Sequence, residues 1–426
     1  MERRTPFPRV FWLANTIEVL ERFAYYGIYF SFGIYLTSLG FSRDQLGVVQ
    51  TLFLLLSYCL PLFSGTLADR FGFKTMLIVA YLAYLPSILL LMVTRSFSGI
   101  ALTMLSIGFA AGLFKPLVFG TVRAVTDKSN STLGFGIFYA MVNVGGSLGP
   151  VIAGHLRAIS WNTAFLAAAG AIGLMFLMTL LFYKEPPREL ERAKLSQKLR
   201  EIGTALSDKR FAIFLLLLGL VYWIPFWAFY NLCALYIDRN LDTALLYKAI
   251  RAVFGAGVAG FLSHEVDGQR KLLAETVSHT GYIIMLFQVV VSRVVERSKP
   301  IAAFFVGLAV TAAGFVLMGA AAVFDPRLVF VGIFVFAVGE MISSPRIQEY
   351  IARLAPKEKA GLYTGTNFLA VGIGAFSGVI YTPLYGHFAD AGHPGWVWYV
   401  LAAHVVVGIV VLAIFQKLAG TMEEQG

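Results

Sequence analysis

Glu18-Val19-Leu20-Glu21-Arg22-Phe23-Ala24-Tyr25-Tyr26-Gly27 lies inside a stretch, residues 10–39, that is otherwise apolar and long enough to span a bilayer. Ionisable side chains at that depth are costly unless they are paired or face water, so they mark a functional site. Their spacing sharpens the reading. Glu18, Glu21, Arg22 and Tyr25 fall at i, i+3, i+4 and i+7, which is one face of a helix. One side of the first helix thus turns two acids, a base and a phenol toward something polar within the membrane.

The rest of the 426-residue chain fits that setting: 58% of its residues are hydrophobic and 14% charged, against about 25% charged in an average soluble domain. Apolar windows recur at about 10–39, 46–68, 75–94, 98–122, 134–158, 161–183, 211–237, 277–295, 300–323, 328–352, 361–386 and 395–418. These predict an all-α integral membrane protein of twelve transmembrane helices. The first span is too long and too charged for a signal peptide.

Basic residues give the orientation. With the N-terminus cytoplasmic, that side collects Arg3, Arg4, Arg9, Arg70, Lys74, Arg123, Lys128, the bases of 184–210, Arg293, Arg297, Lys299, Arg353, Lys357, Lys359 and Lys417. The opposite side holds fewer, among them Arg43, Arg95, Arg157 and Arg239. Both termini are therefore predicted cytoplasmic, and the net charge of +10 is a topology signal rather than a nucleic-acid footprint. Cys59 and Cys233 lie within spans and read as small buried residues. The six histidines lack metal-ligand spacing, and His264 with Glu265 and Asp267 reads as a solvated loop. No metal, cofactor, nucleophile elbow or phosphate loop is predicted, which argues against an enzyme.

The chain divides in the middle. Residues 184–210, opening Lys184-Glu185-Pro186-Pro187, form the long polar stretch between six spans in 1–183 and six in 211–426. Two six-helix halves around a central cytoplasmic linker resemble the major facilitator superfamily, whose halves rock about a midplane site. Between the second and third spans, Gly65-Thr66-Leu67-Ala68-Asp69-Arg70-Phe71-Gly72-Phe73-Lys74 resembles that superfamily's loop signature. The resemblance implies a conformational role for Gly65, Asp69, Arg70 and Gly72. Glycines there are expected to permit a tight turn.

Within the superfamily, Glu18 to Gly27 resembles the ExxERFxYYG signature of the proton-dependent oligopeptide transporter family. Ser57-Tyr58-Cys59-Leu60-Pro61, Gly112-Leu113-Phe114-Lys115-Pro116, the run Phe138 to Leu148 around Asn143, and Gly339-Glu340-Met341-Ile342-Ser343-Ser344-Pro345 with Glu349 and Ala355-Pro356 are similar to four further motifs, in the family's order. The resemblance implies proton-coupled symport of a small peptide or peptide-like zwitterion, with Glu18, Glu21 and Glu340 linked to protons. It implies solute binding by Arg22, Tyr25, Tyr26, Tyr58, Lys115 and Asn143.

Depth agrees with those roles. At about 1.5 Å per residue, Glu18 and Glu21 lie roughly 12–17 Å from one membrane face, with Lys115 and Asn143 at a similar level. Glu340 lies roughly 18 Å from the other face. Lys115 and Arg22 suit a solute carboxylate, and Glu340 an amine. Plainer readings stand beside these. Glu18 and Arg22 make an intrahelical pair that lets the helix insert, Lys115 snorkels to headgroups, and Arg346 pairs with Glu349.

The departures from the family bear on mechanism. Pro225-Phe226-Trp227-Ala228-Phe229-Tyr230-Asn231 resembles the family's FWAxFEQ segment, with Asn231 where its acid stands, and an amide cannot titrate. Asp238, seven residues on, is a candidate substitute. Leu117-Val118-Phe119 replaces residues that are polar in the family, which implies a less polar pocket. An exporter or antiporter of a more apolar compound is the alternative, and a non-transporting sensor is a more distant one. Residues 238–276 form an extracellular insertion whose Leu245, Leu246, Ala249, Ile250, Val253 and Phe254 alternate with Lys248 and Arg251 as in an amphipathic helix. It is expected to lie on the membrane surface or to cap the cavity. The expected partners are a small solute, protons and the bilayer of a cell membrane, with the chain a monomer.

Overall fold

The computed structural model describes residues 6–127, 130–186, 195–354 and 360–419. Of the residues named above, Arg3, Arg4, Lys128, Pro187, Ala355, Pro356, Lys357 and Lys359 lie outside these. The described chain is almost wholly helical, as a lipid-spanning backbone must be to satisfy its own polar groups. In order the helices are α1 (Arg9–Ser38), α2 (Arg43–Cys59), α3 (Pro61–Phe71), α4 (Phe73–Leu91), α5 (Phe97–Ala124), α6 (Ser131–Ile159), α7 (Trp161–Phe182), α8 (Leu195–Leu206) and α9 (Lys209–Leu218). A π turn (Gly219–Trp223) joins α9 to α10 (Ile224–Asn240). Next come α11 (Thr243–Phe261), a hairpin of β1 (Ser263–Val266) and β2 (Gln269–Leu272), and the single turn α12 (Ala274–Val277). The chain closes with α13 (Gly281–Val295), α14 (Pro300–Ala321), α15 (Leu328–Leu354), α16 (Ala360–Gly374), α17 (Ser377–Asp390) and α18 (Trp396–Ala419).

Among the described residues, eleven helical segments are long and apolar enough to cross a membrane, and α2 with α3 makes a twelfth. That pair bends by 44° where Leu60 meets Pro61, whose missing N–H interrupts the helix. Helix α1, 30 residues long, is not in that set, because Glu18, Glu21, Arg22 and its tyrosines make it too polar. Helix α11 is in it, although the sequence reads as an insertion there. With α1 included and α11 set aside, the spans are the twelve read from the sequence.

The chain forms two compact units. The first holds residues up to Tyr35 together with Leu52–Arg200. Helix α1 lies against α6 at backbone distance: a Cβ on Gly145 would stand 2.4 Å from the Val19 carbonyl oxygen, and one on Gly149 2.5 Å from that of Phe23. These small residues let the charged helix approach without a side-chain gap. The second unit holds Glu201–Gly426 together with Leu36–Thr51, the tip of the α1–α2 hairpin. The tip belongs there because Gly47 and Gly378 touch backbone to backbone. The Val379 N–H also donates to Thr51 Oγ1 at 3.0 Å, and Thr382 Oγ1 donates to Gln50 Oε1 at 2.7 Å.

Candidate functional site

In the first unit, Arg22 Nε donates to Glu18 Oε1 at 2.6 Å, one helical turn back, and lies 3.4 Å from Glu21 Oε2. Both carboxylates and the guanidinium are buried. A short charge-assisted bond is the arrangement that makes such burial tolerable. Tyr84, from α4, donates its hydroxyl to Glu21 Oε1 at 3.0 Å. Nothing in the sequence marks Tyr84, since a tyrosine in an apolar helix reads as packing. Its partner lies 63 residues away.

Lys115 turns into this cluster rather than out to headgroups. Its ammonium donates to the Ser57 carbonyl at 3.2 Å and sits over the Tyr58 ring at 3.5 Å and the Tyr25 ring at 4.9 Å. Among the described residues it forms no ion pair. Helix α5 therefore presents a cation held by a dipole and two π faces. Tyr25 is 1% exposed and packs on Tyr29 and Phe53, so it supports Lys115 from within the unit. Tyr26 is half-buried, with the Arg22 guanidinium 6.0 Å from its ring centre. Asn143 is not drawn in: its amide donates to the Tyr139 carbonyl of its own helix at 2.9 Å. Leu117 is fully buried, so it does not line a pocket.

The expected turn glycines divide. Gly72 takes φ +89°, a left-handed value that suits glycine, and it separates α3 from α4. The Glu185 carboxylate accepts the N–H groups of Phe73 at 2.7 Å and Lys74 at 2.8 Å, capping α4 with a negative charge at its N-terminus. In the sequence Glu185 reads only as part of a polar linker. Gly65 is a correction: it lies inside α3, with open space for 4 Å around the point a Cβ would occupy, so it makes no turn. Asp69 is half-buried near the end of α3, and Arg70 is exposed beside the Phe71 ring.

In the second unit, Glu340 stands on α15. Tyr230 from α10 and Thr280, just before α13, both donate hydroxyls to its Oε2, at 2.9 and 2.8 Å. Among the described residues no cation pairs with Glu340, and no group donates to Oε1. Helix α13 begins only after Thr280, so an irregular stretch rather than a continuous helix delivers this hydroxyl. Further along α15, Arg346 bonds Glu349 at 2.5 Å and donates to the Val295 and Glu296 carbonyls at 2.6 and 3.1 Å, capping α13. A cavity of about 390 Å³, lined by Gln288, Ser292, Met341, Arg346 and Glu349, opens between α13 and α15, within the range of small-molecule sites.

Asn231 sits in a neutral network. Its amide donates to Ser377 Oγ at 3.0 Å, and its backbone carbonyl accepts from Gln50 Nε2 at 3.2 Å. Asp238 lies near the end of α10, 3.4 Å from the Arg239 guanidinium.

Known proteins share this architecture. The sequence profile of the Major Facilitator Superfamily matches residues 15–279. The chain belongs to the major facilitator superfamily. It is thus a multi-pass membrane protein of that superfamily. Quinolone resistance protein NorA of Staphylococcus aureus is 29% identical over 231 residues, 54% of this chain and 58% of NorA. The match thus spans little more than half of that relative. An uncharacterized MFS-type transporter of Mycobacterium tuberculosis is 33% identical over 132 residues, 31% of each chain. Among solved structures, a POT family transporter in complex with 5-aminolevulinic acid superposes with a TM-score of 0.75 at 18% identity, covering 97% of both chains. The nucleoside transporter NupG superposes with a TM-score of 0.74 at 12% identity, covering 96% of this chain and 100% of NupG. At these identities the superpositions establish the fold.

Proposed function

We propose that this transporter carries a small zwitterionic or peptide-like solute together with protons, in symport across a cell membrane. One observation carries the reading: each unit holds, inside a long apolar helix, an ionisable side chain without an ion-pair partner among the described residues, Lys115 on α5 in the first and Glu340 on α15 in the second. The charges are opposite: Lys115 suits a solute carboxylate, and Glu340 suits an ammonium or a proton. Glu340 has a second requirement. Its two hydroxyl donors stabilise the carboxylate by hydrogen bonds alone, so a proton or a solute ammonium supplies the neutralisation that no side chain among the described residues does. The Glu18–Arg22–Glu21 group is the second proton-linked candidate. The likeness of the motifs to the proton-dependent oligopeptide transporters supports this assignment, and the distribution of bases supports cytoplasmic termini.

The test is uptake of a labelled dipeptide into proteoliposomes under an inward proton gradient. Accumulation is expected in the wild type, with loss of gradient-driven accumulation but retained exchange in Glu340→Gln. No uptake by well-folded protein overturns the symport reading.

A second reading is export of a more apolar compound, favoured by the similarity to a quinolone resistance protein and by Asn231. It predicts proton-driven extrusion of a quinolone from the same vesicles and no dipeptide accumulation.

A further inference from the structure

Helix α11 and the hairpin after it are used by neither charged centre. Leu241 and Asp242 separate the helix from α10, and Asp242 caps it by accepting the N–H groups of Ala244 at 2.9 Å and Leu245 at 3.0 Å. Leu246 and Ile250, one turn apart, are buried, so this first part lies down on the protein along one stripe. At Gly255 the backbone turns through φ +82°, ψ 172°, and the helix kinks. Around that kink every residue from Arg251 to Val258 is exposed, including Val253 at 74% and Phe254 at 62%. Phe261 follows at 52%. The return path is anchored: the Leu273 N–H donates to the Leu262 carbonyl at 3.0 Å, and Thr280 lies beside Glu340.

We propose that the kinked tip of α11 inserts into the bilayer leaflet at the Asn240 end of α10, with Val253, Phe254 and Val258 among the acyl chains. Three observations select lipid as the occupant. The tip is tethered at both ends to membrane-spanning segments, and the 12 residues from Thr243 to Phe254 reach only about 18 Å as helix. Thr243–Phe261 is itself apolar enough for a membrane span, yet only 17% of it is buried within the protein. Exposed bases on the helix itself, Lys248 and Arg251, lead into the run with the sign that lipid phosphates attract, while the hairpin mixes Arg270 with the exposed acids Glu265 and Asp267. An apolar tip carrying basic neighbours is the pattern of a segment lying in the interface. Its consequence is mechanical. The irregular stretch that delivers Thr280 to Glu340 is held through the hairpin by an element anchored in lipid.

The test places an environment-sensitive fluorophore on Val253→Cys, Phe254→Cys or Gln269→Cys, each in a Cys59→Ala background, since Cys233 is fully buried. Each protein is reconstituted one copy per nanodisc, with or without nitroxide-bearing lipids, and challenged with iodide. Labels at 253 and 254 are expected to be quenched severalfold more by lipid nitroxide than the label at 269, and severalfold less by iodide. Equal iodide quenching at 253, 254 and 269, without a lipid effect, overturns the proposal. Protection that appears only in liposomes holding many copies also overturns it, because it assigns the tip to a second copy of the chain. The 253 and 254 labels serve as independent variants should either perturb folding.

Discussion

Two carboxylate centres, one in each unit, solve the same physical problem by different means. In the first, Glu18 and Glu21 are buried beside a guanidinium, so charge is compensated by charge at 2.6 and 3.4 Å. In the second, Glu340 is met by two neutral hydroxyls on a single oxygen. An ion-paired centre needs all its members to stay folded, whereas a hydroxyl-bound carboxylate can exchange its proton or accept a solute without orphaning another charge. The first unit's centre is therefore expected to dominate stability, and the second to dominate solute coupling.

The largest expected effect breaks the ion-paired side. Arg22→Met leaves two buried carboxylates without their cation and is expected to destabilise the protein by about 3–5 kcal/mol. Combining it with Glu18→Gln and Glu21→Gln should restore much of the loss, because the uncompensated charge is then gone. Thermal unfolding in detergent reads both. If Arg22→Met unfolds at the wild-type temperature, the centre is solvated and the contrast fails.

The hydroxyl side should respond less. Tyr230→Phe and Thr280→Val each remove one donor to a charged acceptor, worth about 1.5–3 kcal/mol. Each should lower stability modestly, and dipeptide uptake should change more than unfolding temperature does. The reverse ranking, with stability falling and uptake intact, would make Glu340 a structural residue.

These two centres were unequally legible. Glu18, Glu21 and Arg22 are visible because all three sit on one helix, where a 3.6-residue period reports their shared face. Lys115 and Glu340 are visible as charges in apolar helices, and depth alone gives their level. Their neutral partners are not. Tyr84, Tyr230 and Thr280 belong to residue types that are common in packed helices, and only the tertiary fold shows where their hydroxyls point. Asn143 shows the converse: a polar residue at the right depth whose amide is taken up by its own helix. The spans other than α1 were legible from hydropathy, but the break before α13 was not, because residues up to 276 read as insertion and 277–295 as one unbroken span.

A third prediction sharpens what positions the ion-paired centre. Gly145→Ala puts a methyl 2.4 Å from the Val19 carbonyl oxygen, where backbone cannot yield cheaply. It should cost about 1–3 kcal/mol by overpacking and displace the face of α1 that carries Glu18 and Arg22. Gly65→Ala, in open space within α3, should instead be neutral or stabilising by up to about 1 kcal/mol. Equal losses at both sites would mean that close approach of α1 to α6 is not what holds the centre.

The smallest expected effect comes from an ion pair in water, which isolates what burial adds. Asp325 accepts from the Arg327 backbone N–H at 2.9 Å and from its guanidinium at 2.6–3.0 Å, between α14 and α15. The Arg327 side-chain bonds, then its backbone bond, hold this carboxyl below the usual carboxylate range. A depressed folded value means that any stabilisation is present above the unfolded value of about 3.9 and fades as pH falls through the folded one. Arg327 is exposed and Asp325 is half-buried at the surface, so salt should screen the pair. Asp325→Asn is therefore expected to match wild type in unfolding temperature at neutral pH and high salt, with any difference confined to low salt and gone in strong acid. Arg22→Met should lose the same stability at every salt concentration, because its partners are buried. A salt-insensitive loss in Asp325→Asn as large as that of Arg22→Met would show that burial does not set what an ion pair contributes in this protein.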